Sequence, residues 1–327
     1  MTSGTTGTVC LVSGAAGFIG SHLAEALVQQ GHRVRGVDAF VDFYPRTQKE
    51  ANLAALRAQP AFTLIEADLC TADLAGLLDG VDVVFHLAAQ AGVRTSWGAG
   101  FAAYVANNIL ATQRLLEQAS KSGVRRVVYA SSSSVYGNAV DLPAREDSLP
   151  APISPYGVTK LAAEHLCRLY TTEYGLPTIA LRYFTVYGPR QRPDMAFHRF
   201  IRAILQGETI SIYGDGEQSR NFTYVGDTVA ATLAAMDHGC PGACYNVGGG
   251  QRITINAVLG ILEELTGKAA HLDYRPQQPG DAEHTAADTR AASRDLGFAP
   301  RWSLAAGLRE EIQWVATRLS GNAGPSI

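Results

Sequence analysis

The chain predicts an α/β protein in which a doubly wound parallel sheet carries a smaller α/β lobe. Three observations lead there. Short apolar, β-rich runs alternate with helix-length stretches through the first half. A glycine-rich turn joins the first strand to the first helix. After Tyr183 the chain breaks into shorter pieces punctuated by Gly and Pro. Strands covered on both faces read as continuous apolar runs, and the helices between them supply right-handed crossovers.

Residues 8–13 form the first apolar strand, and residues 19–30 have helical periodicity that stops at Gly31. Further strands are expected at 33–37, 62–66, 81–87, 126–131 and 178–183, with helices at 102–121 and 156–174. Beyond Tyr183, Gly188-Pro189, Arg192-Pro193 and the glycines at 214–216 and 248–250 interrupt the pattern. Only 226–238, 255–266 and 304–319 read as clear helices there. The expected division is residues 1–183 for the nucleotide-binding sheet and 184–327 for the substrate lobe, with segments near 222–240 and 282–290 returning to the sheet. The ends, residues 1–7 and 321–327, are small and polar and are expected to fray.

Composition narrows the class. With 46% hydrophobic and 17% charged residues in 327, the chain can bury a large core and is neither disordered nor fibrous. A net charge of -3 with mixed signs offers no basic tract for phosphates in series, which argues against nucleic acid as a partner. The five cysteines, Cys10, Cys70, Cys167, Cys240 and Cys244, are odd in number and form no tetrahedral metal set. They read as reduced packing thiols of a cytoplasmic protein. The most apolar window, residues 9–28, holds Ser13, Ser21, His22, Glu25 and glycines, so it is a strand, turn and helix rather than a membrane span or export signal.

Gly14, Gly17 and Gly20 sit where that strand meets that helix. The first permits a tight turn, the second lets backbone approach a pyrophosphate, and the third lets helix and strand pack closely. The helix start offers unpaired N–H groups and a positive dipole end to phosphates. Asp38 ends the next strand, 24 positions after Gly14, where a carboxylate binds the ribose diol of NAD and repels a 2′-phosphate. Asp68, after the third strand, is either an adenine contact or an ordinary turn residue.

A second constellation follows. Ser131-Ser132-Ser133-Ser134 closes a strand at the edge where such sheets bind ligands. Tyr156 and Lys160 open a helix at i, i+4 spacing, which puts phenol and ammonium on one face. A nearby ammonium and a nicotinamide cation favour phenolate, so the Tyr156 pKa is expected to fall towards neutrality. Such a Tyr takes a hydroxyl proton as hydride leaves the same carbon.

These motifs resemble the extended short-chain dehydrogenase/reductase family, the NAD-dependent sugar epimerases and dehydratases with a Rossmann-type sheet. The resemblance runs through residues 14–20, 84–89, 107–108, 131–137, 156–160 and 182–188, nearly the whole chain. It implies Ser132 as the hydroxyl partner of Tyr156, and Lys160 as holding the nicotinamide ribose as well. Phe18, Ile19, Leu69, Ala88 and Asn108 would lie along NAD, and Arg94, Ser133 and Ser134 along the substrate. Residues 181–195 look like the UDP-glucuronate 4-epimerases within that family. Thr185 stands where galactose-type enzymes carry Asn, and Gln278 where they carry a phosphate-binding Arg. Ser134 stands where decarboxylases carry Glu. Arg220 would meet the diphosphate and Asp281 the uridine ribose, though each alone reads equally as a surface charge. Arg192 pairs with a carboxylate or a phosphate.

The implied activity is C4 epimerisation of UDP-glucuronate to UDP-galacturonate through a 4-keto sugar. A UDP-hexose 4-epimerase and a UDP-glucuronate decarboxylase are the alternatives. The intact Ser132, Tyr156 and Lys160 count against a silent NAD sensor, and Asp38 against an NADPH reductase. Analogy with the family implies a homodimer through helices 102–121 and 156–174.

Overall fold

The computed structural model describes residues 7–139 and 141–321, so most of each end expected to fray lies outside the described residues. Seven strands make one sheet, in the order Cys244–Val247, Thr178–Tyr183, Arg126–Ser132, Val83–His86, Val9–Ser13, Arg33–Asp38, Phe62–Glu66. All neighbours are parallel. The strand order reverses between Val9–Ser13 and Val83–His86, where Ser13 pairs with His86. That reversal opens a crevice at the carboxyl ends of the strands, the place where such sheets bind ligands.

Alternate residues serve opposite faces. Leu11, Val37 and Val84 join a cluster with Leu115, Ala163 and Cys167 on one side. Val12, Val34 and Val83 join Leu23, Leu27 and Val229 on the other. Helices Ala111–Ala119 and Pro155–Tyr174 cover the first face, and Phe18–Gln29 and Val225–Asp237 the second. The second cluster runs on without a break into Phe197, Ile201, Leu259 and Val315. The lobe beyond Tyr183 is therefore packed on the same core as the sheet.

Several elements differ from their expected form. Helix 102–121 begins at Phe101 and is opened into a π-turn over Val105–Leu110, where each N–H reaches one residue further back. Strand 81–87 shortens to Val83–His86. Arg46–Asn52 and Ala196–Gln206 are helices that the sequence reading passed over, the second hidden behind the Arg192-Pro193 break. The strand Cys244–Val247, also passed over, pairs with Thr178–Tyr183 and completes the sheet. It is preceded by Val225–Asp237, which packs on Phe18–Gln29. Cys10 and Cys167 are buried as expected of packing thiols, but Cys240 is exposed.

Candidate active site

The crevice is lined by Gly14, Gly17 and Gly20, by Asp38, Asp68 and Ala88, and by Tyr156, Lys160 and Arg192. Gly14 has φ +72°, and a Cβ on it would stand 2.9 Å from the Ala88 backbone nitrogen. A Cβ on Gly20 would stand 2.1 Å from the Gly14 carbonyl oxygen. No other residue type permits this turn to close, and the closed turn aims the start of Phe18–Gln29 into the crevice.

Asp38 receives the Ala16 N–H at 3.0 Å on Oδ2 and the Phe40 N–H at 2.9 Å on Oδ1. Each carboxylate oxygen keeps a second lone pair for a diol hydroxyl. A helix start for a pyrophosphate, glycines that admit backbone contact and a fixed carboxylate fit NAD. Phe18, Ile19 and Leu69 also border the crevice, and Asp68 borders it while accepting the Cys70 N–H at 2.8 Å in a turn. The expectation for Asn108 is corrected. Its amide bonds Gln90 N at 2.7 Å, Gln90 O at 3.0 Å and Thr159 Oγ1 at 2.9 Å, so it braces the wall, and its neighbour Asn107 faces the crevice.

The Tyr–Lys helix starts where it does because Ser154 caps it, accepting the Gly157 N–H at 3.1 Å, with Pro155 next. Tyr156 thus falls in the first turn and Lys160 one turn on. The Lys160 ammonium is 6.0 Å from the Tyr156 ring centre and donates to the Ala130 carbonyl at 2.9 Å. Burial pushes Lys160 down to about 8. Burial also raises the Tyr156 phenol above its ordinary value, with the Ser132 hydroxyl bond and Arg192 opposing. The expected fall rests on a nicotinamide cation as well as the lysine; in the chain by itself, desolvation outweighs the charges that the protein supplies.

Ser132 ends its strand and accepts the Ser134 N–H at 3.1 Å, turning Ser133 and Ser134 along the rim. One residue back, Ser131 donates to Glu164, which binds Arg182 twice, at 3.0 and 2.8 Å. Arg182 in turn donates to the Tyr136 hydroxyl at 2.7 Å. Glu164 thus ties two strands to the Tyr–Lys helix, Arg126–Ser132 through Ser131 and Thr178–Tyr183 through Arg182. The sequence reading missed Glu164, although it lies one turn beyond Lys160 on the same helix face and the period alone points to it.

Arg192 reaches the crevice beside Tyr156, held by Asp194 through two contacts at 3.0 and 2.9 Å and placed 5.7 Å from the Phe43 ring. Phe43 and Tyr44 face it from the segment after Asp38, and no spacing in the sequence marks them. Thr185 follows the Thr178–Tyr183 strand, half-buried, and its carbonyl accepts the Thr223 N–H at 3.0 Å.

Four expected substrate groups are otherwise engaged. Arg94 and Asp281, both expected along the substrate, bind each other at 2.6 Å, with Arg94 stacked 4.3 Å over Tyr213. Arg220 spends its guanidinium on the Ser219 and Glu283 carbonyls, each at 2.9 Å, and on Ala282. Gln278 lies in the 276–280 turn with its amide 3.4 Å from the Pro276 carbonyl. Among the described residues no group of His, Cys, Asp and Glu is placed to hold a metal ion.

A parallel sheet with a glycine turn at its switch point and a Ser–Tyr–Lys set across the crevice defines the class of nicotinamide-dependent α/β enzymes acting on alcohols. Residues 10–248 match the NAD dependent epimerase/dehydratase family, and the chain belongs to it. It is 46% identical to an uncharacterized UDP-glucose epimerase, YtcB, of Bacillus subtilis (strain 168), over 95% of this chain and 99% of that one. It is 39% identical to a UDP-glucuronate 4-epimerase of Thermodesulfobacterium geofontis (strain OPF15), over 93% and 95%. The crystal structure of UDP-glucuronic acid 4-epimerase from Bacillus cereus with UDP-glucuronic acid and NAD superposes with a TM-score of 0.93 at 44% identity, over 95% of this chain and all of that one.

Proposed function

We propose that the chain is an NAD-dependent UDP-glucuronate 4-epimerase, interconverting UDP-glucuronate and UDP-galacturonate. The observation that carries this is the single crevice uniting the glycine turn and Asp38 with Tyr156, Lys160 and Arg192. The similarity to enzymes named for UDP-glucuronate supports the choice of sugar. When bound, NAD supplies a hydride acceptor that takes hydrogen from C4 of the sugar and later gives it back.

The residues govern protons and orientation. Tyr156 takes the C4 hydroxyl proton and returns it to the same oxygen, with the Ser132 hydroxyl holding that oxygen. Lys160, fixed by Ala130, keeps a positive charge behind the phenol and helps the raised Tyr156 to ionise. A 4-ketone beside a carboxylate loses CO₂ when the two align, so the carboxylate must be held out of that alignment. Ser133, Ser134 and Thr185 are neutral donors suited to that task, and Arg192 adds a cation at the same end. Asp38 and the glycine turn hold NAD, with Asp68, Leu69, Ala88, Phe18 and Ile19 along it.

Chromatography of nucleotide products from purified protein given UDP-glucuronate tests the reading. UDP-galacturonate is expected, and Tyr156→Phe is expected to lose it by a factor of about 10²–10⁴ while retaining NAD. UDP-xylose with released CO₂ would identify a decarboxylase. No product from UDP-glucuronate with NAD in place would refute the reading. A homodimer through Phe101–Ala119 and Pro155–Tyr174 is part of the proposal, supported by exposed Phe101, Leu110, Val158 and Leu169 on those helices. All five thiols are free, and a cytoplasmic location is the reading they support. Among the described residues no helix is long and apolar enough to cross a membrane.

A further inference from the structure

Residues 188–192 cross the molecule between the Val186–Tyr187 strand and the Ala196–Gln206 helix, and a group from elsewhere holds each of the first four. The Gly188 N–H donates to Glu311 Oε2 at 2.8 Å. The Pro189 carbonyl lies 2.9 Å from His22 Nε2. A carbonyl only accepts, so Nε2 carries the proton, and burial keeps this ring neutral by pushing it down to about 4. Arg190 pairs with Glu25 at 2.7 Å. The Gln191 carbonyl accepts from Gln48 Nε2 at 3.3 Å, and its side chain bonds Val186 O and His198 N at 3.1 and 2.9 Å.

Arg190 is the unusual member. Its φ is +66°, a left-handed conformation that costs a residue with a Cβ, and arginine has no short polar side chain to bond its own backbone there. Such a conformation persists only where the surroundings over-determine it, and it concentrates at functional sites. What holds Arg190 is an ion pair taken out of water: the side chains are 8% exposed for Arg190 and 21% for Glu25. Glu25 and His22 share one face of Phe18–Gln29, the helix whose start faces the crevice. Two residues after the left-handed turn, Arg192 enters the crevice beside Tyr156.

We propose that Glu25 and Arg190 are positioning residues that set where Arg192 enters the crevice, and so set the preference for a sugar bearing a carboxylate. The reading rests on Arg192 as the group facing that carboxylate. The backbone turn at Arg190 fixes the direction of the chain into Arg192, Asp194 then fixes the guanidinium, and Glu25 keeps the turn from relaxing. A charged pair with a carboxylate depends steeply on such placement.

The test measures dissociation constants of UDP-glucuronate, UDP-glucose and UDP by titration calorimetry on the NAD-loaded protein. It compares the native chain with Glu25→Gln, Arg190→Gly and Arg192→Met. Arg190→Gly accepts the left-handed turn without strain, so it removes the ion pair while sparing the fold. Arg192→Met is expected to lower the preference for UDP-glucuronate over UDP-glucose by a factor of about ten, the size of one charge-assisted contact. Glu25→Gln and Arg190→Gly are expected to lower it by at least about threefold, with UDP binding and NAD content unchanged. An unchanged preference in both, alongside a collapse in Arg192→Met, overturns the positioning role and leaves the reading of Arg192 standing. Equal weakening of all three ligands overturns it too, because that marks a general loss of structure. No effect from Arg192→Met overturns the reading of Arg192 and this inference with it.

Discussion

Replacing Glu164 by Leu and Arg182 by Met, singly and together, measures the ion pair that binds the Thr178–Tyr183 strand to the Tyr–Lys helix. The two side chains are 4% and 5% exposed and joined by two bonds at 2.8 and 3.0 Å. Removing one partner leaves the other charge buried without a counter-ion, which costs about 3–5 kcal/mol. At about 2–4 °C per kcal/mol for a chain of this size or somewhat smaller, each single variant should melt roughly 6–20 °C lower. The double variant buries no charge, and such replacements elsewhere are close to neutral. Ser131 loses its acceptor in Glu164→Leu as in the double variant, and Tyr136, which keeps Asn246 at 2.7 Å, loses Arg182 in Arg182→Met as in the double, so these losses cancel in the comparison. The double variant should therefore be less destabilised than the sum of the singles by at least about 2 kcal/mol. Urea unfolding followed by circular dichroism gives the four free energies. Additivity within about 0.5 kcal/mol would refute the pair as a coupled clamp.

Two further outcomes follow from named contacts. Burial lowers Lys160 from 10.5 to about 8, so between those values the unfolded chain binds the extra proton and stability should rise with pH. Relative to Lys160→Met, the native protein should gain up to about 1.4 kcal/mol per pH unit across that window, and parallel urea curves at pH 7 to 10 would contradict this. Gly20→Ala puts a methyl carbon 2.1 Å from the Gly14 carbonyl oxygen, so the turn must open. The variant should purify without NAD, read from its ultraviolet spectrum, and full cofactor content would show that the turn tolerates a side chain.

Much of this protein was legible in the residues themselves. Apolar runs separated by helical periods locate six of the seven sheet strands, because burial on both faces leaves a mark in composition. The seventh, Cys244–Val247, is short and lies among glycines, and it becomes a strand only because Thr178–Tyr183 offers it an edge. Likewise Ala196–Gln206 follows a Pro and a turn, and its apolar face is visible once a core is there to receive it.

The site divides in the same way. Local spacing marks Gly14, Gly20, Asp38, Ser132, Tyr156 and Lys160 for the roles proposed for them, since strand, turn and helix periods are properties of neighbouring residues. Long-range contact decided the rest. It turned Asn108 inward, joined Arg94 to Asp281, and spent Arg220 on carbonyl groups. It set Glu164 against Arg182, 18 residues away, and Arg190 against Glu25, 165 residues away. It also raised the Tyr156 phenol in the chain by itself, because desolvation depends on everything that packs around a group. Local spacing names the reacting groups; only the packed chain determines which of its charges remain free to meet a substrate.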